Sequence, residues 1–446
     1  MLRTGVLFLL LAAAGIALAS GIGFTGPVVL AGDVPVIDAP YNWQSELYAP
    51  SMAQAVGVSD LFHEAAFFGA ARLADALTRR PVPNILTRDI LGAAFLVASA
   101  NVPFGLTWAH EEFHRAVLHS RGVSSYDDVC NFPFFSTLVS VSRVSDSALE
   151  RLKANYPADL VRAHEAGYEA QQQVVSAMER DEFVHGRLRA LELNQFYWWY
   201  CGVDNITYVG ICTSADLDSL TGRLNREEGT DVAKRDFTGF DFTAWTYDLF
   251  RPDEPYAARG AHPSGVGINR YIKHSDLTAE EQRWLEREFV LSFASLVDPM
   301  LIGFDGVAVG SATVNARLTH YLTSFGHSVD VDILIRCGDA GLVVALASQE
   351  NRVAYFPGLR LDAIGWPVGR WQLSPSVAFW LQPRYQRADA RQPVPGGLVS
   401  LRADYPVNGW LRAGAEVEAK TRGWVPGNVY LDPNISARAW LSVLVR

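Results

Sequence analysis

The sequence predicts an α+β protein in which a mostly helical portion is followed by an antiparallel β-barrel of about eight strands. Three observations carry this expectation. Apolar residues recur at helical spacing from about Ser51 to Leu301. After about Gly303 the period changes to two, with Gly, Pro and Asn turn signals between the runs. A chain of 446 residues, 49% hydrophobic and 19% charged, can also bury a large core, which excludes a disordered, collagenous or coiled-coil protein. The net charge of -10 gives a nucleic-acid-binding surface no global electrostatic support, so no nucleic-acid partner is expected.

The first twenty residues read as a signal peptide. Arg3 supplies a positive start, Val6 to Ala14 an apolar core, and Ala17-Leu18-Ala19 a small-x-small cleavage pattern that places the mature start near Ser20 or Gly21. An exported chain, in the periplasm or at the outer membrane, follows from this. Export permits disulfides, and the four cysteines suggest two bridges, Cys201–Cys212 and Cys130–Cys337, with other pairings open.

Residues 21–302 form the helical domain of this reading. Leu61 to Leu77 and Thr278 to Leu296 carry helical periodicity, and Thr278 with Glu281 has the spacing of a capping box. Ser147 to Glu192 is helical with a break at Pro157. Gly229 to Ser275 has no clear period and reads as a substrate-covering excursion or an insertion. Ile90 to Ala109 is uncharged over the length of a membrane span; a buried helix broken near Pro103 is the favoured reading and a span the competing one.

Residues 303–446 form the barrel domain. Val329, Val331, Ile333 and Ile335 alternate with Asp330, Asp332, Leu334 and Arg336; Leu411 to Lys420 and Ile435 to Val445 alternate likewise. The polar face carries Arg, Asp and Glu, while Trp366, Trp410 and Tyr430 fall near strand ends. By pattern the region resembles outer-membrane β-barrels, which implies membrane association through the barrel. A soluble sandwich gives the same alternation.

The residues that point to chemistry are His110-Glu111-Glu112-Phe113-His114, an H-E-x-x-H sequence. On a helix the two imidazoles share one side and can meet one Zn²⁺, with Glu111 placed to take a proton from water at the metal's open position. Apolar residues at helical spacing surround the motif, and Gly122 offers a stop. A third ligand is required. Ala163, Ala166, Gly167 and Ala170 form a small-residue face that permits close helix approach, and Glu169 borders it. Glu169 is therefore the leading third ligand, with Glu165 and then His164 as alternatives.

His110-Glu111-x-x-His114 followed by a Glu on a later helix resembles the gluzincin group of zinc metallopeptidases. The resemblance implies a zincin-like domain that hydrolyses peptide or protein substrates, with His110 and His114 as zinc ligands and Glu111 as catalytic base. The metzincin extension is absent, since Val117 and Ser120 stand where its Gly and third His would be. Two other readings remain. One is a non-enzymatic barrel with a helical partner-binding domain; the other is an intramembrane zinc protease using Ile90 to Ala109 as its span.

Overall fold

The computed structural model describes residues 30–44, 49–78, 81–133, 139–185 and 191–445. The signal-peptide expectation therefore lies outside the described residues. The chain begins with strand β1 (Leu30–Ala39) and continues through helices α1 (Met52–Leu77), α2 (Pro81–Ser99) and α3 (Leu106–Ser120). Next come α4 (Asp146–Asn155), α5 (Pro157–His185), α6 (Leu191–Cys212), α7 (Leu217–Glu228), α8 (Asp241–Phe250) and α9 (Ala279–Ser292).

Local chemistry explains the boundaries. Ser51 caps α1 with a full capping box through Gln54. Pro157 opens α5, where its missing N–H costs nothing. At α9, Thr278 Oγ1 accepts from the Glu281 N–H at 3.3 Å and Glu281 Oε2 accepts from the Thr278 N–H at 2.6 Å, as the sequence predicts. Thr278→Ala should lower stability by about 1 kcal/mol, read as a lower urea midpoint with an unchanged slope.

The second half forms β2 (Val307–Val309), β3 (Ala312–Leu322), β4 (His327–Cys337), β5 (Ala340–Glu350), β6 (Tyr355–Ile364) and β7 (Trp366–Val368). It ends with β8 (Trp371–Pro383), β9 (Pro393–Pro406), β10 (Leu411–Lys420) and β11 (Asn434–Val445). Neighbouring strands pair antiparallel in the order β1-β11-β10-β9-β8-β6-β5-β4-β3-β2, with β7 on β8. The eight long strands expected from the alternation are present.

Two expectations about architecture are corrected. The sheet is open rather than closed into a barrel: β1 and β2 are its edges and do not pair. Nor do the helices make a separate N-terminal domain. The strand that precedes them, β1, pairs with the last strand, β11, from Leu30 opposite Val445 to Ala39 opposite Ala437. β1 carries Pro35 and has a register shift between Pro35 and Ile37, features of an edge strand that hide it from a periodicity reading. α5 lies against the concave face of the sheet, where Arg180 meets Asp362 at 3.3 Å, Glu179 pairs with Arg317, and Gln173 donates to the Tyr321 hydroxyl at 3.0 Å.

The cysteine pairing is also corrected, because all four cysteines are free. Cys201 and Cys212 share helix α6 about three turns apart, roughly 16 Å along the axis and far beyond the ~7 Å that a disulfide can span. The span reading of Ile90 to Ala109 fails as well: among the described residues no helix is long and apolar enough to cross a membrane. The stretch is interrupted between Ser99 and Leu106 by turns, and Gly105 sits where a Cβ would run into the Ser99 carbonyl.

Candidate metal centre

α3 carries the motif, and every residue from Trp108 to His119 on it is buried. Gly122, at φ +69°, ends it, with its N–H donating to the His119 carbonyl at 2.9 Å. α5 packs along α3 through Ala163, Ala166 and Ala170, each fully buried, as the small-residue face requires. Gly167 completes that face for a local reason. A Cβ there would overlap the His110 ring, so glycine is what lets this imidazole lie against α5. Gly167→Ala should displace His110 and weaken zinc binding at least about tenfold, the scale of about 1–3 kcal/mol for overpacking; competition with a chromophoric chelator reads this directly.

The two imidazoles meet as the spacing predicts, with ring centroids 4.8 Å apart. His114 Nδ1 lies 2.5 Å from the Ala163 carbonyl, a contact that calls for a proton on Nδ1 and leaves Nε2 as the free lone pair. That Nε2 is buried and lacks a hydrogen-bond partner. The acidic group that reaches the pair is Asp241, whose Oδ2 stands 3.1 Å from His110 Nε2 and 3.4 Å from His114 Nε2. Ligand atoms of the three residues lie within 4.8 Å of one another. Zinc–ligand bonds of about 2.0–2.2 Å in tetrahedral array put ligand atoms roughly 3.3–3.5 Å apart, so the three fit one ion after small adjustments. Burial raises the pKa of Asp241, but the His114 and His110 rings outweigh it and hold the carboxyl well below the usual range.

The carboxylate that the fold brings to the two histidines is that of Asp241, not that of Glu169. Glu169 is fully buried and engaged elsewhere: its Oε1 accepts from the Gly427 N–H at 2.6 Å and from Arg162 Nη2 at 3.2 Å, tying α5 to the turn before β11. Glu165 lies 3.8 Å from Arg162. His164 is held by Thr238 Oγ1 at 2.7 Å and Asp248 Oδ2 at 2.9 Å. Asp241 was missed because it starts a short helix inside Gly229 to Ser275, where no period marks a facing side. Its one sequence signal is an acidic residue in the first turn of a helix.

Glu111 is buried beside the pair. Desolvation, then the negative charges of Asp236, Asp127 and Asp241, push its carboxyl well above the ordinary value. Tyr208 borders the centre: its hydroxyl accepts from the Asp241 N–H at 3.2 Å and its ring centroid is 6.3 Å from that of His110. Tyr168 faces away from the centre, with its hydroxyl 2.9 Å from His320 Nδ1. Glu112 pairs with Arg115 at 2.5 Å, both buried, and Asp127 and Asp128 accept from Val129 N–H and from Ser140 and Ser142 hydroxyls as turn-forming groups.

The chain matches no protein-family model, no curated protein and no solved structure. The reading of the centre therefore rests on its own geometry. The donor set is two imidazoles and one carboxylate, which suits Zn²⁺ better than the all-oxygen cages of Ca²⁺ or Mg²⁺. A cavity of about 330 Å³ lies elsewhere, between α1, α5 and the concave face of the sheet, and none of the motif residues lines it.

Proposed function

We propose that this protein is a zinc-dependent hydrolase acting on peptide bonds, with His110, His114 and Asp241 as metal ligands and Glu111 as general base. The observation that carries the reading is the meeting of Asp241 with both motif histidines from 127 positions further along the chain. A chance H-E-x-x-H match would have no reason to meet a buried carboxylate from a distant helix at the same point. The bound ion would supply Lewis-acid activation of water and of the scissile carbonyl.

The chain's own residues divide the remaining work. The Ala163 carbonyl orients His114, Gly167 makes room for His110, and Glu111 accepts the proton from the attacking water and returns it to the leaving amine. Tyr208, beside the centre, accepts from the Asp241 N–H and keeps its own O–H to donate to a developing oxyanion.

The test is hydrolysis of quenched-fluorescent peptides and of an unfolded protein by the zinc-loaded chain, alongside Glu111→Gln. About one zinc per chain is expected in both proteins, with kcat/KM of the variant down by roughly 10²–10⁴. Zinc-loaded protein without chelator-sensitive hydrolysis, or a Glu111→Gln variant as active as the parent, would remove the assignment.

A further inference from the structure

The sheet is polarised in an unusual sense. Arg402 meets Asp404 and Asp33, each at 2.8 Å, Arg360 meets Asp362 at 2.8 Å, and Arg438 meets Glu416 and Asp38, each at 3.3 Å, all on the concave side that faces α5 and α1. The opposite, convex side is apolar and open to solvent. Phe379 is 62% exposed, Val399 58%, Leu401 49%, Val417 57% and Ile435 71%. From β4 to β11 the outward positions of the long strands carry apolar residues, Gly or Ser except at strand ends, where Cys337 closes β4 and His327 and Glu350 lie opposite each other at the β4–β5 end beside Arg287 of α9; the other charges of those strands fall on the inward positions. A water-facing sheet buries its apolar side and exposes its charges, and here that order is reversed.

We infer that the convex face of this sheet is seated against the hydrocarbon of a lipid bilayer. A second copy of the chain or a protein partner would cover a patch, whereas this face runs across seven neighbouring long strands with Glu350, at the end of β5, as its one Asp, Glu, Lys or Arg. Its dimensions suit a bilayer. From Trp371 to Leu381 a strand rises about 33 Å at ~3.3 Å per residue, or roughly 25 Å along the membrane normal at the ~40° tilt usual for membrane strands. Aromatic side chains mark the ends of this band. Trp366, Trp371 and Trp410 are exposed at one end, with Trp371 and Tyr405 rings 5.0 Å apart, and Tyr355 and Tyr385 are exposed at the other. The sheet edges are not left bare to lipid. α1 packs on β1, where Gly57 approaches the Asp33 carbonyl too closely for a Cβ, and on the other side, past the end of the short β2, the Leu318 N–H of β3 donates to the Val297 carbonyl at 3.0 Å.

The inference does not depend on the metal centre, and its test is separable from it. The detergent-purified chain is mixed with phosphatidylethanolamine–phosphatidylglycerol vesicles, the detergent is removed, and the vesicles are floated. The parent should float and resist carbonate extraction, whereas Phe379→Asp/Val399→Asp/Val417→Asp should show at least a tenfold lower bound fraction with zinc stoichiometry unchanged. If that triple variant fails to fold, Val399→Trp provides the reading in its place: its added fluorescence should be strongly quenched by acyl-chain-brominated lipid. Parent protein that stays in the aqueous fraction, a triple variant that floats equally well, or an unquenched Val399→Trp overturns the inference. So does a detergent-free dimer that the triple variant splits into monomers, which would make the face an interface between copies.

Discussion

Asp241→Ala is expected to empty the metal centre, lowering zinc affinity at least about a hundredfold, while Glu169→Gln leaves about one zinc per chain. The direction follows from the ligand count. With Asp241 present the two imidazoles and the carboxylate present three donors to one point; without it two imidazole nitrogens remain, too few for a tetrahedral zinc site. Loss of an outer hydrogen-bonding partner of a ligand already costs about 10–100-fold in affinity, and removal of the ligand itself costs more. Glu169→Gln acts on a different part of the molecule. It weakens the contacts of a fully buried carboxylate with Arg162 and the Gly427 N–H, so its effect should appear as a lower urea midpoint. Metal titration of the two variants side by side decides between them. Retained zinc in Asp241→Ala together with lost zinc in Glu169→Gln would restore the sequence-based ligand and remove the geometric one.

The contrast shows what was legible in the sequence. The helix carrying His110, Glu111 and His114, its end at Gly122, the small-residue face of α5 and the capping box at Thr278 are local patterns, each decided within a few residues. The long strands are local in the same way, because alternation needs no knowledge of the partner strand. The approach of Asp241 to the two histidines, the pairing of β1 with β11 and the open sheet are non-local. Asp241 reaches the histidines because α8 is anchored to α5, and β1 finds β11 across the whole chain. Glu169 shares a helix with the residues that face the motif but lies on another side of it, since α5 presents Ala163 and Gly167 to the motif and Glu169 to the turn at Gly427. The disulfide expectation failed for a related reason. Counting cysteines ignores that an unbroken helix holds Cys201 and Cys212 apart.

The anchoring of α8 to α5 leads to the largest stability effect expected in this molecule. Asp248, on α8, is fully buried and receives three cationic or polar groups: Lys153 Nζ at 3.0 Å, Arg259 Nη2 at 2.6 Å and His164 Nε2 at 2.9 Å. Asp248→Asn should destabilise the protein by about 3–5 kcal/mol, because it leaves the Lys153 and Arg259 charges buried without their counter-ion. Asp253→Asn is the control. It breaks an exposed pair with Arg387 at 2.7 Å and should shift stability by no more than about 1 kcal/mol. The pH dependence has a definite sign. Desolvation raises the Asp248 pKa, but Arg259, Lys153 and His164 outweigh it, so the folded carboxyl titrates below its unfolded value of about 3.9. Its contribution is then fully present above that value and is lost as pH falls beneath it, so the urea midpoint of the parent should drop on acidification more steeply than that of Asp248→Asn. The same substitution also bears on the metal centre. Asp248 and Asp241 sit two turns apart on α8, and His164 follows Ala163, whose carbonyl orients His114. Slackening the buried cluster therefore loosens two supports of one ligand set, and folded Asp248→Asn should bind zinc more weakly than the parent, with Asp253→Asn unchanged. Equal zinc affinity in all three proteins would mean that α8 holds Asp241 in place without this anchor.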